Sequence, residues 1–97
     1  MLDLRISGDA GDDLDAIWSY TRERYGGDAA DAYLRGFNTL FAFLREHPEA
    51  GAVVPGVRPE TRSFSYRRHR AYYRIAEHRV EIIRIAHKAQ NARLFVD

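Results

Sequence analysis

Cysteine is absent from the 97 residues, so no disulfide or thiolate metal site can support the small core, and secretion gains no support. Lysine is almost absent as well, with fourteen arginines beside the single Lys88. A GC-rich genome would produce that bias without a functional cause. No run approaches the roughly 20 apolar residues of a membrane span. The first apolar run is interrupted by Asp3 and Arg5 and lacks a signal-peptide core. No pair of histidines has the spacing of metal ligands, so neither a metal nor a cofactor is expected. The reading is one cytoplasmic domain over residues 1–97, near the small end of what folds alone.

What is present is unevenly divided. The net charge is +1, yet residues 1–47 carry five arginines against nine acids, a net of −4, while residues 48–97 carry nine arginines and Lys88 against five acids, a net of +5. Such a split fits a basic face for an anionic partner. It fits equally a fold in which strand-borne arginines pair with helix-borne acids.

Leu2-Asp3-Leu4-Arg5-Ile6-Ser7 alternates as a half-buried strand does. Ser7, Gly8 and Asp9 offer helix caps, with Asp12 and Asp13 where a helix start favours anions. Leu14, Ile17, Trp18, Thr21 and Tyr25 then recur at helical spacing, with Trp18 read as core. Gly26-Gly27 stops this helix and Asp28 stands ready to cap the next. The second stripe runs Tyr33, Phe37, Leu40, Phe41 and Leu44 and closes at His47-Pro48. Helices joined so closely pack as an antiparallel hairpin.

The Pro- and Gly-containing stretch 48–60 reads as irregular. Strands are predicted at about 61–67, 69–76 and 79–87, with Glu77-His78 as a tight turn. Val80-Glu81-Ile82-Ile83-Arg84-Ile85 is apolar on both faces and should lie inside the sheet. The tail 91–96 either docks as a short element or frays. The order is β-α-α-β-β-β, an α+β fold with a helical hairpin packed on one face of a small, largely antiparallel sheet. The other face is left without a helix, its arginines and tyrosines available.

Several pieces stand out in that order: Leu4-Arg5-Ile6-Ser7, Asp13-Leu14-Asp15-Ala16-Ile17-Trp18-Ser19-Tyr20-Thr21, and Glu46-His47-Pro48-Glu49-Ala50-Gly51. Arg58-Pro59, Arg62-Ser63-Phe64, His69, Tyr72-Tyr73-Arg74 and the run from Val80 to His87 continue the series. Together they resemble the ParE toxins, within the wider RelE/ParE superfamily, over nearly the whole chain. The resemblance implies a growth inhibitor neutralised by a ParD-like antitoxin, in a heteromeric complex of toxin and antitoxin dimers. It also implies a toxin that poisons DNA gyrase or a related topoisomerase rather than cutting RNA.

The alternative is a RelE-like, ribosome-dependent mRNA endoribonuclease. Aligned with that pattern, Lys88 matches a basic position, but the RelE arginine falls near Ala89 and the catalytic tyrosine near Phe95, which has no hydroxyl. A second set would be needed: His87 as base, with Arg62, Arg74 and Lys88 clamping phosphate. The expectation is no catalytic site. A member that has lost toxicity and survives as an antitoxin-binding corepressor fits the sequence as well as an active toxin does.

Arg67-Arg68-His69-Arg70 is the candidate grip on the target, an acidic surface or nucleic acid, against the plainer reading of a solvated turn. Direct contact with nucleic acid is left open. Arg84, amid isoleucines, needs a carboxylate partner if buried. Tyr20, Leu34 and Phe43 lie off the main helix stripes and are the candidate antitoxin contacts, by a helix in a groove or a strand on a free edge.

Overall fold

The computed structural model describes residues 1–90. The tail element expected over 91–96, with Phe95, lies outside the described residues. Chain order is β1 (Asp3–Ile6), α1 (Gly8–Tyr25), α2 (Gly27–Glu46), a 3-10 turn (Pro48–Ala50), β2 (Ala52–Val53), β3 (Arg62–Tyr66), β4 (His69–Ala76) and β5 (Arg79–His87). The strands form one sheet in the order β1-β5-β4-β3-β2. β1 runs parallel to β5 and the other pairs are antiparallel. Parallel pairing needs a long crossover, and the helical hairpin supplies it. The α+β architecture is the expected one. The stretch read as irregular also contributes β2, a fifth strand at the sheet edge.

The Ser7 hydroxyl caps α1 by accepting from the Ala10 N–H at 3.0 Å. α1 ends at Gly26, whose φ of 92° suits a residue without Cβ, and the same glycine opens α2. Asp28 therefore sits inside the first turn of α2, and no side chain caps that helix. Along α2, Phe37, Leu40, Phe41 and Leu44 repeat at three- and four-residue steps and are buried against Ala71, Tyr73, Val80, Ile82 and Ile85 of the sheet. α1 gives this core Ala10, with Leu14 and Ile17 half-buried. Trp18 is not core. It lies half-buried where the helices meet, its indole N–H donating to Asp31 Oδ1 at 2.9 Å.

The double-sided apolarity of β5 has a specific cause. Tyr73 pairs with Ile82 while Tyr72 pairs with Arg84, so Ile83 is an extra residue, a β-bulge. Val80, Ile82 and Ile85 consequently all reach the helix side despite their mixed parity. β1 covers β5 only as far as Ile82. Beyond it, α1 takes over: the Ser7 hydroxyl donates to Ile83 O at 2.8 Å, and Asp13 accepts from the Ile85 N–H at 2.9 Å. Asp13 also accepts two bonds from Arg84, at 2.8 and 3.1 Å. The carboxylate expected for Arg84 is thus Asp13, which the sequence had suggested for the helix dipole.

Arg84–Asp13 is the single ion pair between the two oppositely charged halves among the described residues. The others, Arg62–Glu60, Arg79–Glu77 and Arg79–Glu81, are local. The helix-free face is not open along its length either. Tyr72 and Ala86 are buried there beneath Val54 and Val57 of the β2–β3 connection. In the middle of β4, on the helix side, Tyr73 is fully buried; its hydroxyl donates to Pro48 O at 2.7 Å and accepts from the Gly51 N–H at 2.8 Å.

Candidate functional site

Where the helical hairpin overhangs the end of the sheet, a cleft of about 760 Å³ opens. Its walls are Ala16, Ile17, Tyr20 and Thr21 of α1, Ala29, Ala32 and Tyr33 of α2, and the junction residue Tyr25. Its basic end is Tyr66, Arg67, Arg68, His69 and His87. Tyr66 crosses close over α2, its hydroxyl donating to Tyr33 O at 3.2 Å. Only glycine at 36 permits this, because a Cβ there would collide with the Tyr66 hydroxyl and ring.

His69 and His87 face each other on β4 and β5. The Lys88 N–H donates to Arg68 O at 2.9 Å and the His87 N–H turns to Gln90 Oε1 at 3.0 Å. The two histidines therefore form a non-hydrogen-bonded cross-strand pair, the register in which side chains approach most closely. Their rings meet edge to face with centroids 5.7 Å apart.

Each ring is fixed at Nδ1. The Tyr33 hydroxyl lies 2.8 Å from His69 Nδ1. Among the described residues that nitrogen is the acceptor within reach of the Tyr33 hydroxyl, so we assign the phenol hydrogen to it. His87 Nδ1 accepts from the Ala89 N–H at 3.2 Å. In the neutral form both rings then carry their proton on Nε2, and among the described residues neither Nε2 has a hydrogen-bond partner. Burial, and then the neighbouring His87, lower the His69 pKa below 6.5. Burial raises the Tyr33 phenol above 10, with the Arg68 N–H opposing it.

Arg67 and Arg68 make the two-residue turn between β3 and β4, and Arg67 takes a positive φ of 52°. The run Arg67-Arg68-His69-Arg70 is therefore split. Two arginines occupy an exposed turn, His69 points to the helix side, and Arg70, next along the strand, points to the opposite face. His69 is half-buried among Tyr33, Phe37 and His87, more than a surface strand end.

The alternative quartet is not brought together. His87 lies at the cleft with Lys88 next to it in the chain, but Arg62 pairs with Tyr73, and Arg74 is five residues along β4 from His69, about 17 Å at strand rise. Arg62 donates to Gly51 O at 2.8 Å and Glu49 O at 3.2 Å, latching the 48–51 turn. Arg74 donates to the buried Thr61 hydroxyl at 3.0 Å. The helix candidates separate too. Tyr20 is exposed in the cleft, Leu34 packs against the core, and Phe43 is exposed further along α2, stacked on His47 and Phe64.

Tyr33 and Tyr66 were not singled out from the sequence. The available signal was a tyrosine on an otherwise apolar stripe, whose hydroxyl must find a partner when buried.

The two-helix hairpin over a mixed five-stranded sheet recurs in solved structures. A solved chromosomal ParDE TA system from P. aeruginosa shares the fold with a TM-score of 0.77, 24% identity, and coverage of 90% of this chain and 96% of that one. A copper-bound mutant toxin from Helicobacter pylori matches with a TM-score of 0.65 at 16% identity, over 93% and 98% of the two chains.

The family model described as the ParE toxin of the type II toxin-antitoxin system, parDE, matches residues 4–92. Toxin ParE1 of Caulobacter vibrioides is 37% identical over 89 residues, 92% of each chain. Toxin ParE1 of Mycobacterium tuberculosis is 30% identical over 76 residues, covering 77% of this chain and 78% of its own. The chain belongs to the ParE toxin family of type II toxin–antitoxin systems.

Proposed function

We propose that this toxin acts in the cytoplasm by binding a type II topoisomerase, DNA gyrase foremost, rather than by chemistry of its own, and that a ParD-like antitoxin silences it. The family match over residues 4–92 is the observation that carries this reading. The dispersal of the ribonuclease quartet supports it: Arg62 and Arg74 serve the 48–51 turn and Thr61, far from His87. The exposed Arg67-Arg68 turn is the grip we assign to the target. Tyr20, an antitoxin candidate, lines the same cleft as those arginines. Antitoxin held there would cover the target grip, so neutralisation follows by direct competition. No helix among the described residues is long and apolar enough to cross a membrane.

The test is a supercoiling assay with purified gyrase, relaxed plasmid and ATP, titrating the toxin and its His87→Ala variant. Inhibition or accumulated cleaved plasmid, retained in the variant, is the expected result. An indifferent gyrase, together with transcript cleavage on translating ribosomes that His87→Ala abolishes, would establish the ribonuclease instead.

A further inference from the structure

Among the described residues no acid lines the cleft, while two arginines and two histidines do. Among the described residues neither Arg67 nor Arg68 joins an ion pair, and Arg67 lies over the Tyr66 ring at 5.7 Å. The Nε2 hydrogens of the histidine pair are unpartnered as well. Four positive or donor groups thus gather where no carboxylate of the described residues stands. Arg84 and Arg62, by contrast, are held inside the fold, the first by Asp13 and the second by the 48–51 carbonyls.

We propose that the basic end of the cleft receives an acidic side chain of the antitoxin, whose inhibitory segment lies along the apolar walls, and that the histidine pair takes up a proton when it binds. This rests on the toxin–antitoxin reading above. The rest of the cleft favours a protein segment over a nucleic-acid backbone, since Ala16, Ile17, Ala29 and Ala32 offer apolar contact and no charge. Duplex DNA would call for a broad basic face. Here Arg70 points away and Arg84 is occupied.

Proton linkage follows from what faces the pair. From the helices come Tyr20, Tyr25 and Tyr33, and from β3 Tyr66, phenols rather than carboxylates. The turn gives Arg67 and Arg68, always charged. Asp13 and Asp31 of the helices are engaged by Arg84 and Trp18. Imidazole is therefore the side-chain type lining this cleft that can gain a proton near neutrality. Without a ligand, burial and then repulsion from His87 disfavour the charged form of His69. A carboxylate at the cleft end favours the imidazolium, so the complex holds more protons than its parts. Affinity then rises as pH falls through the histidine range.

The experiment measures binding of a purified ParD-type antitoxin to the whole toxin near pH 6 and near pH 8. Expected is binding about tenfold tighter at the lower pH, equivalent to one unit of histidine pKa. His69→Gln with His87→Gln should flatten that dependence. Arg67→Glu with Arg68→Glu should weaken binding at least about tenfold at both pH values while the melting temperature stays that of the wild type. A complex indifferent to pH and to the charge reversal overturns this site and leaves the toxin–antitoxin reading standing. Absence of any complex removes both. Capture of a fluorescent DNA duplex, lost on charge reversal while antitoxin binding is unchanged, would give the basic end to phosphate and also overturn the proposal.

Discussion

The two flanks of the distal half of β5 both carry arginine and treat it in opposite ways. On the α1 flank, beyond the end of β1, the polar groups at the bulge are matched: Ile83 O by Ser7, and Ile85 N–H and the Arg84 guanidinium by Asp13. On the cleft flank, two histidine N–H groups and two arginines find no acceptor within the described fold. An arginine held by a carboxylate contributes to the fold. An arginine left over on a concave surface is available to a partner. That contrast separates the role of Arg84 from that of Arg67 and Arg68 better than their positions in the sequence do.

The largest expected effect comes from the core that supports the cleft flank. Phe37 is fully buried and touches Phe41, Tyr66 and His69, so Phe37→Ala should cost about 3–5 kcal/mol in denaturant unfolding. Breaking the α1 flank alone should cost less. Asp13→Ala leaves the Ile85 N–H and a partly exposed Arg84 without their acceptor, and about 2 kcal/mol is expected once solvent screening is allowed for. Ser7→Ala removes the α1 cap and the bond to Ile83 O together, with about 1 kcal/mol expected by the same measurement.

The cleft flank should respond to pH. The folded pKa of His69 is lowered from 6.5, so between the two values the unfolded chain binds more protons. His69 therefore costs no stability above the unfolded value, and the free toxin loses stability as pH falls through 6.5 towards the folded value. Urea midpoints measured across that range should fall less in His69→Gln than in the wild type. The smallest expected effect on stability belongs to Arg67→Glu with Arg68→Glu, within about 0.5 kcal/mol, because the turn is exposed and unpaired. A large loss there would mean that the cleft flank is structural after all and would erase the comparison.

Much of the scaffold was legible. Helical periodicity gave the hairpin of α1 and α2, and Glu77-His78 was readable as a turn without glycine; Glu77 adopts a φ of 54° there. Less of the site could be read. Tyr33 looked like one more apolar position, whereas its hydroxyl is what orients His69. Tyr20 was recognised as lying off the stripe, but its neighbours across the cleft come from the far half of the chain. Trp18 was taken for core because its spacing allowed it, while its indole N–H sought a carboxylate at the helix junction.

The sequence by itself determined the order of elements, the apolar faces and the two turns, since each depends on residues a few positions apart. Counted from the Glu77-His78 turn, which opens with Ala76 opposite Arg79, an unbroken hairpin would set His69 opposite Ala86 and send His87 to the other face. The bulge at Ile83 shifts that register by one and brings the histidines together. Ser7 and Asp13 bind at its two sides, to Ile83 and Ile85, from 76 and 72 residues away along the chain. Only the tertiary structure could decide this pairing, because the hydrogen bonds lost to a bulge must be replaced by whatever the fold brings alongside.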